Sequence, residues 1–201
     1  MTDEAFGDGG FAADANEVSR ILVFRGSDTL GWGWIESANG KRGMGSGHED
    51  FSNEAMNVWL AELRERSYSP GKGTWSTAEI GVYSDKPGEL EVFDEEHLQT
   101  MPGGGWFPGG EPADADSWAE HLLAFPRTVD HIPLWMWDIF RSEGVTPPIY
   151  NPEFKSVDWK NRRRPVTDHG TDFSVEPTVI DPALEPGVLS RIGKKLFGTR
   201  S

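Results

Sequence analysis

Arg20-Ile21-Leu22-Val23-Phe24, then Leu30-Gly31-Trp32-Gly33-Trp34-Ile35, then Asn39-Gly40, is the stretch on which the fold turns. The first run is short, β-branched and aromatic, the composition of a buried strand. In the second, glycine and tryptophan alternate, so both tryptophans fall on one face of a strand. Asn-Gly tolerates positive φ at both central positions of a tight turn and is the strongest short hairpin signal. Lys41 to Met44 is then the return strand.

Outward from this hairpin, Ser46 to Ser67 reads as a helix. Ser46 and Glu49 stand at capping-box spacing. Ala55, Met56, Trp59, Leu60 and Leu63 form one apolar stripe. Arg64 and Arg66 lie in the last turn, where they complement the helix dipole. Ser69-Pro70-Gly71 ends it. A second hairpin follows, Ala78 to Ser84 with Leu90 to Phe93, joined by Asp85-Lys86-Pro87-Gly88. Two amphipathic helices come next. In Asp114 to Phe125, residues Trp118, Leu122 and Phe125 point inward. Pro133 to Glu143 is rich in Leu134, Trp135, Met136, Trp137, Ile139 and Phe140. This order predicts an α+β fold, a small antiparallel sheet of hairpins with helices packed on one face.

Both ends read differently. Residues 1–17 are rich in glycine, alanine and acid and are expected to be disordered. Residues 18–144 form the globular domain. Residues 145–201 are expected to be a long extended arm, because seven of the 14 prolines lie in 145–187 and proline favours extended backbone. Ile149, Tyr150, Phe154, Trp159, Phe173 and Val179 recur along it as anchors, and residues 188–197 form a short basic amphipathic segment. On this reading the body folds without the arm.

The formal net charge is −14, and it is unevenly placed: residues 160–201 hold 8 of the 19 basic residues but only 5 of the 33 acidic ones. An acidic body repels nucleic-acid phosphates and steers basic partners. The absence of cysteine excludes disulfides, thiolate metal sites and thiol nucleophiles. The start MTDEAFGDGG lacks the basic flank and apolar core of a signal peptide. No apolar run approaches the ~20 residues that span a bilayer. A cytoplasmic protein, or part of a particle assembled in the cytoplasm, is expected.

Few residues suggest chemistry. The histidines His48, His97, His121, His131 and His169 form no zinc-helix spacing. Glu89/Glu91, Asp94/Glu95/Glu96 and Asp114/Asp116 read as solvated acidic loops. Gly103-Gly104-Gly105 and Gly109-Gly110 lack the Lys-Ser/Thr of a phosphate loop, and Gly43-x-Gly45-x-Gly47 runs into His48-Glu49-Asp50, which repels phosphate. No cofactor and no metal are expected. Arg25, Ser76-Thr77 and Glu89-x-Glu91, in that order, resemble the arginine–serine–glutamate class of ADP-ribosyltransferases. The resemblance implies that Arg25 grips dinucleotide phosphates, Ser76 supports the site and Glu91 stabilises an oxocarbenium-like ribose.

The stronger pattern is one of contact. Trp106-Phe107 sits in the glycine- and proline-rich loop 101–113. Trp159 stands beside the basic run containing Arg162, Arg163 and Arg164, and the tail carries Ile192, Lys194, Lys195 and Phe197. Basic residues with aromatics can hold single-stranded nucleic acid, but on so acidic a chain a protein partner is the expected occupant. Two classes follow. The first is a non-enzymatic interaction protein, either an assembly subunit of a virion- or secretion-type particle, contacting copies of itself, or an acidic inhibitor of the immunity type. The alternative is an ADP-ribosyltransferase-type enzyme.

Overall fold

Ala15–Arg25 (β1) and Asp28–Ser37 (β2) are neighbours in one sheet, and Arg42–Met44 (β3) pairs antiparallel with β2, with Trp34 opposite Met44. These coordinates are a computed structural model, which describes residues 2–10, 12–25, 28–37, 42–44, 54–93 and 113–181. The turn residues Asn39 and Gly40 lie outside them, as does the start of the first long helix, described over Glu54–Ser67. The second hairpin is formed by Thr77–Tyr83 (β4) and Glu89–Phe93 (β5), with Thr77 opposite Phe93 and Gly81 opposite Glu89. β4 also pairs antiparallel with β1, from Glu17 opposite Tyr83 to Val23 opposite Thr77, giving the order β3-β2-β1-β4-β5. The α+β class with antiparallel sheets stands.

The chain divides into two compact units. One comprises Met1–Phe24, Thr29–Arg64 and Trp75–Glu111; the other comprises Arg25–Asp28, Glu65–Thr74 and Pro112–Ser201. In the first unit, strand alternation sends Ala78, Ile80 and Val82 to one face of β4, where they join Leu60 and Trp75 in a buried cluster. Trp59 and Leu63 of the helical stripe pack against it half-buried. Arg64 is only 6 % exposed, so it is not the surface residue that its place in the last helical turn suggests.

The amino-terminal expectation needs correction. Thr2–Phe6 is a short helix, and Ala5, Ala12 and Ala15 belong to the same buried cluster. The Ala12 amide donates to the Ala5 carbonyl at 2.8 Å, which closes the segment on itself. Alanine contributes little apolar area, so composition does not mark it as core. What it offers is close approach of backbone to the cluster.

The second unit is built on Ala115–Ala124 (the helix α3 of the chain, after Thr2–Phe6 as α1 and Glu54–Ser67 as α2) and Leu134–Glu143 (α4). Asp114 caps α3, its Oδ1 accepting from the Ser117 amide at 2.8 Å. Glu143 Oε1 accepts from the Ala115 amide at 3.2 Å, so a carboxylate from the end of one helix meets the positive end of the other. Gly144 stops α4 in the left-handed region at φ 68, its amide donating to carbonyls of the last turn. Trp118, Leu122, Met136, Trp137 and Phe140 are fully enclosed. Trp118 meets Trp135 edge-to-face at 5.0 Å. Leu134, one of the apolar residues of this helix, is 70 % exposed.

The carboxy-terminal arm is the larger correction. Its first part is a second sheet: Ile149–Asn151 (β6), Ser156–Trp159 (β7), Arg162–Thr167 (β8) and Thr178–Val179 (β10) lie in the order β10-β8-β7-β6, and Gly170–Thr171 (β9) pairs with β8. Ile149, Tyr150 and Val157 are buried. The prolines fit because none needs to donate within a ladder. Pro147 and Pro148 precede β6, Pro152 is in a turn, and Pro165 falls beyond the two residues of β8 that β10 covers. β9 seats the segment on α3: Thr171 Oγ1 donates to the Leu123 carbonyl, and a Cβ at Gly170 would lie 2.6 Å from the Ala124 oxygen. Residues 182–201 lie outside the described residues.

Arg127 joins the pieces of this unit. It is 3 % exposed and donates to the carbonyls of Thr74 at 2.6 Å and His131 at 3.0 Å, while its own carbonyl accepts from the Tyr150 amide at 2.8 Å. Its backbone also bridges to Gly71 and Lys72 of the turn after α2. Gly73 lies under its side chain at φ 81, and a Cβ there would meet Arg127 Nε at 2.5 Å. Burial raises the pKa of the neighbouring Tyr68 hydroxyl, which donates to the Pro126 carbonyl at 3.4 Å and also meets the Gly71 backbone. Gly73→Ala is therefore expected to cost about 1–3 kcal/mol in chemical denaturation, from left-handed strain and the displaced guanidinium together. A chain ending at Gly144 loses Ile149, Tyr150 and Val157 from the second unit. It is expected to lose that unit's cooperative unfolding transition, which calorimetry of the full and shortened chains reads directly.

Candidate interaction site

β7 and β8 are joined by Lys160-Asn161, which hold φ 48 and 57. Two central residues at positive φ define the type I′ turn that matches strand twist. The usual residues there are Asn and Gly. A lysine in the left-handed region carries strain on the order of 1 kcal/mol. Part of it is offset because the Lys160 ammonium lies 4.0 Å above the Trp159 ring centroid.

The tight turn sets the register: Trp159 stands opposite Arg162 and Asp158 opposite Arg163, and across β10 Val179 stands opposite Arg162 and Thr178 opposite Arg163. Side chains alternate between faces, so the basic run is split. Arg163 turns to one face and is spent internally. Its Nε and Nη2 bond both oxygens of Asp158 at 2.7 Å, and the guanidinium lies 3.9 Å over the Phe154 ring. Asp158 also accepts from Asn151 at 3.1 Å and Ser156 at 3.3 Å. With side chains only 14 % and 10 % exposed, this is a shielded, bidentate pair.

The other face carries the row Trp159, Arg162 and Val179. Trp159 is half-buried, its Nε1 donating to the Thr146 carbonyl at 2.8 Å. Arg162 is exposed, and Val179 is 73 % exposed. Arg164, two residues on, donates to the Val175 carbonyl and lies 5.6 Å from the Phe173 ring centroid. Phe173 is 55 % exposed and Val175 40 %. The arrangement is an apolar and aromatic surface with two outward cations, Lys160 and Arg162. It can hold acidic side chains by charge while burying apolar ones.

Trp106, Phe107, Ile192, Lys194, Lys195 and Phe197 lie outside the described residues. Arg25 is the last residue of β1. Ser76, just before β4, is fully buried, whereas Glu91 is exposed on β5 opposite Glu79. Of the histidines, His121 is buried against Trp118 and Phe125, His131 bonds Thr128 Oγ1 at 2.8 Å, and His169 is exposed. Among the described residues no group of three His, Asp or Glu side chains could hold a metal ion, and no helix is long and apolar enough to cross a membrane.

Sequence reasoning missed two things. Phe154, Phe173 and Val179 were expected as inward anchors, yet all are exposed, the first two flanking arginines. Asp158 was not singled out. The available signal was the alternation Ser156-Val157-Asp158-Trp159, hidden because Lys-Asn is not a recognised turn pair. Compared with known proteins, the chain matches no protein-family model, no curated protein and no solved structure.

Asp158→Asn leaves the Arg163 guanidinium shielded without its counter-charge. It is expected to destabilise the second unit by about 3 kcal/mol in urea unfolding, and Asp158→Asn with Arg163→Met should recover most of that loss.

Proposed function

We propose that this chain is a non-enzymatic protein-binding subunit that docks an acidic protein segment on the Trp159, Arg162 and Val179 row of its second sheet. One observation carries the reading: the hairpin ties Arg163 into an internal pair while leaving Lys160 and Arg162 outward beside exposed apolar side chains. Cations that fold stability alone required would be paired inward, as Arg163 is. A strained lysine at the turn, where glycine fits better, supports a use for its side chain. Exposed apolar residues rimmed by cations are the composition of a contact patch.

Protein suits this surface better than nucleic acid. A chain of net charge −14 repels a polyphosphate over distances at which two cations cannot compensate. A second copy of this chain offers acidic segments of the right local sign, while its net charge opposes the approach of two whole chains, so the row suits a close-range assembly contact rather than an inhibitor that captures its target by long-range steering. An inhibitor of basic targets has no use for this row.

The test uses the full chain and a fluorescein-labelled peptide alternating glutamate and tyrosine, followed by anisotropy. Lys160→Gly preserves the turn, because glycine prefers its φ, while it removes one cation; Arg162→Gln removes the other. Each is expected to weaken binding about tenfold with the melting temperature unchanged or slightly raised. Affinity should also fall between ~50 and ~200 mM salt. Tighter binding of a single-stranded oligonucleotide of equal charge would reverse the assignment.

A further inference from the structure

β5 is the last strand of the first sheet, and its outer edge pairs with no strand among the described residues. Leu90 stands opposite Ile80, and Val92 opposite Ala78. The β4 residues are sealed at 4 % and 0 % exposure, but Leu90 and Val92 are 41 % and 50 % exposed. The apolar face is therefore covered over β4 and open over β5. Beside it runs a cleft of about 340 Å³ lined by Trp59, Leu63, Val82, Gly88, Glu89 and Leu90.

Sheet edges are usually blunted by lysine, proline or a bulge, because an open edge is a template for another strand. Glu89-Leu90-Glu91-Val92-Phe93 contains no lysine and no proline. Its only charges are negative, and they differ in availability. Glu89 is occupied, held below the usual carboxylate range by the Lys86 ammonium at 2.9 Å and the Tyr83 hydroxyl at 3.0 Å. Glu91 is exposed on the face opposite Leu90 and Val92. A second copy's β5 would set glutamate against glutamate along the same face. A strand bearing cations there meets Glu91 with the opposite charge.

We propose that the β5 edge accepts an extended peptide segment of alternating basic and apolar residues, added as a further strand. Backbone bonds to β5 supply affinity. Apolar side chains cover Leu90 and Val92 and reach the cleft, and basic ones lie beside Glu91. This goes beyond the basic row of the second sheet, which takes the opposite charge.

Anisotropy titrations of the full chain with short labelled peptides decide it. An alternating Lys-Val peptide is expected to bind at least about tenfold tighter than its Glu-Val counterpart and than a Lys-Lys-Lys-Val-Val-Val block of equal charge. N-methylation of every second backbone nitrogen, tried in both phases, leaves side chains and protein untouched and should abolish binding in one phase. Val92→Lys should weaken the Lys-Val peptide about tenfold. Equal binding of both methylated forms, or of the block peptide, would overturn strand addition. Self-association that Val92→Lys abolishes would also overturn the assignment, making a second copy the occupant.

Discussion

Arg127 is the constraint on which the second unit depends. Its guanidinium is buried and donates to two carbonyls from separate stretches, Thr74 and His131, and its backbone binds Tyr150 at the start of the second sheet. A buried guanidinium persists only when its bonds are kept, so these three stretches must come together or the charge is stranded. Gly73 is the geometric condition, since the side chain crosses where its Cβ would be. One residue thus carries order from the turn after α2 to the strands that present the basic row.

Charge is used in three ways along the chain. Glu143 serves a helix end, closing the first turn of α3. Asp158 and Arg163 serve the interior of a small sheet, sharing two bonds under the cover of Phe154. Lys160 and Arg162 serve neither and point outward. Residues adjacent in sequence take different tasks because a strand sends neighbours to opposite faces. The net charge of −14 describes none of this, since binding responds to the sign of a patch and not to the total. The two proposed surfaces differ in sign, the row on β7, β8 and β10 basic and the β5 edge acidic.

Much of the fold was legible. β1 and β2, the β4–β5 hairpin and the helices after Asp114 and Pro133 follow from alternation, turn residues and caps, all of which act within a few residues. The ends were not. Ala5 and Ala12 are core residues that composition counts as featureless, and Val157 is buried in a segment that proline content marks as extended. Proline forbids donating an amide, but a strand needs only some of its amides, and the prolines here stand where none is asked of them.

Of the candidate site, the sequence by itself determined the ingredients: an acidic chain, a cluster of arginines and a tryptophan beside it. Tertiary structure alone decided their division. Whether Arg163 is a structural counter-ion and Arg162 an outward cation depends on a two-residue turn that places Asp158 opposite one and Trp159 opposite the other. That turn is built from Lys160 and Asn161, whose left-handed backbone the pairing of β7 with β8 and the packing of Val157 impose. Lys160 lacks the left-handed preference that Asn161 has, so local propensity does not mark the pair as a turn. The cooperative gain of the whole sheet outweighs the strain at its tip.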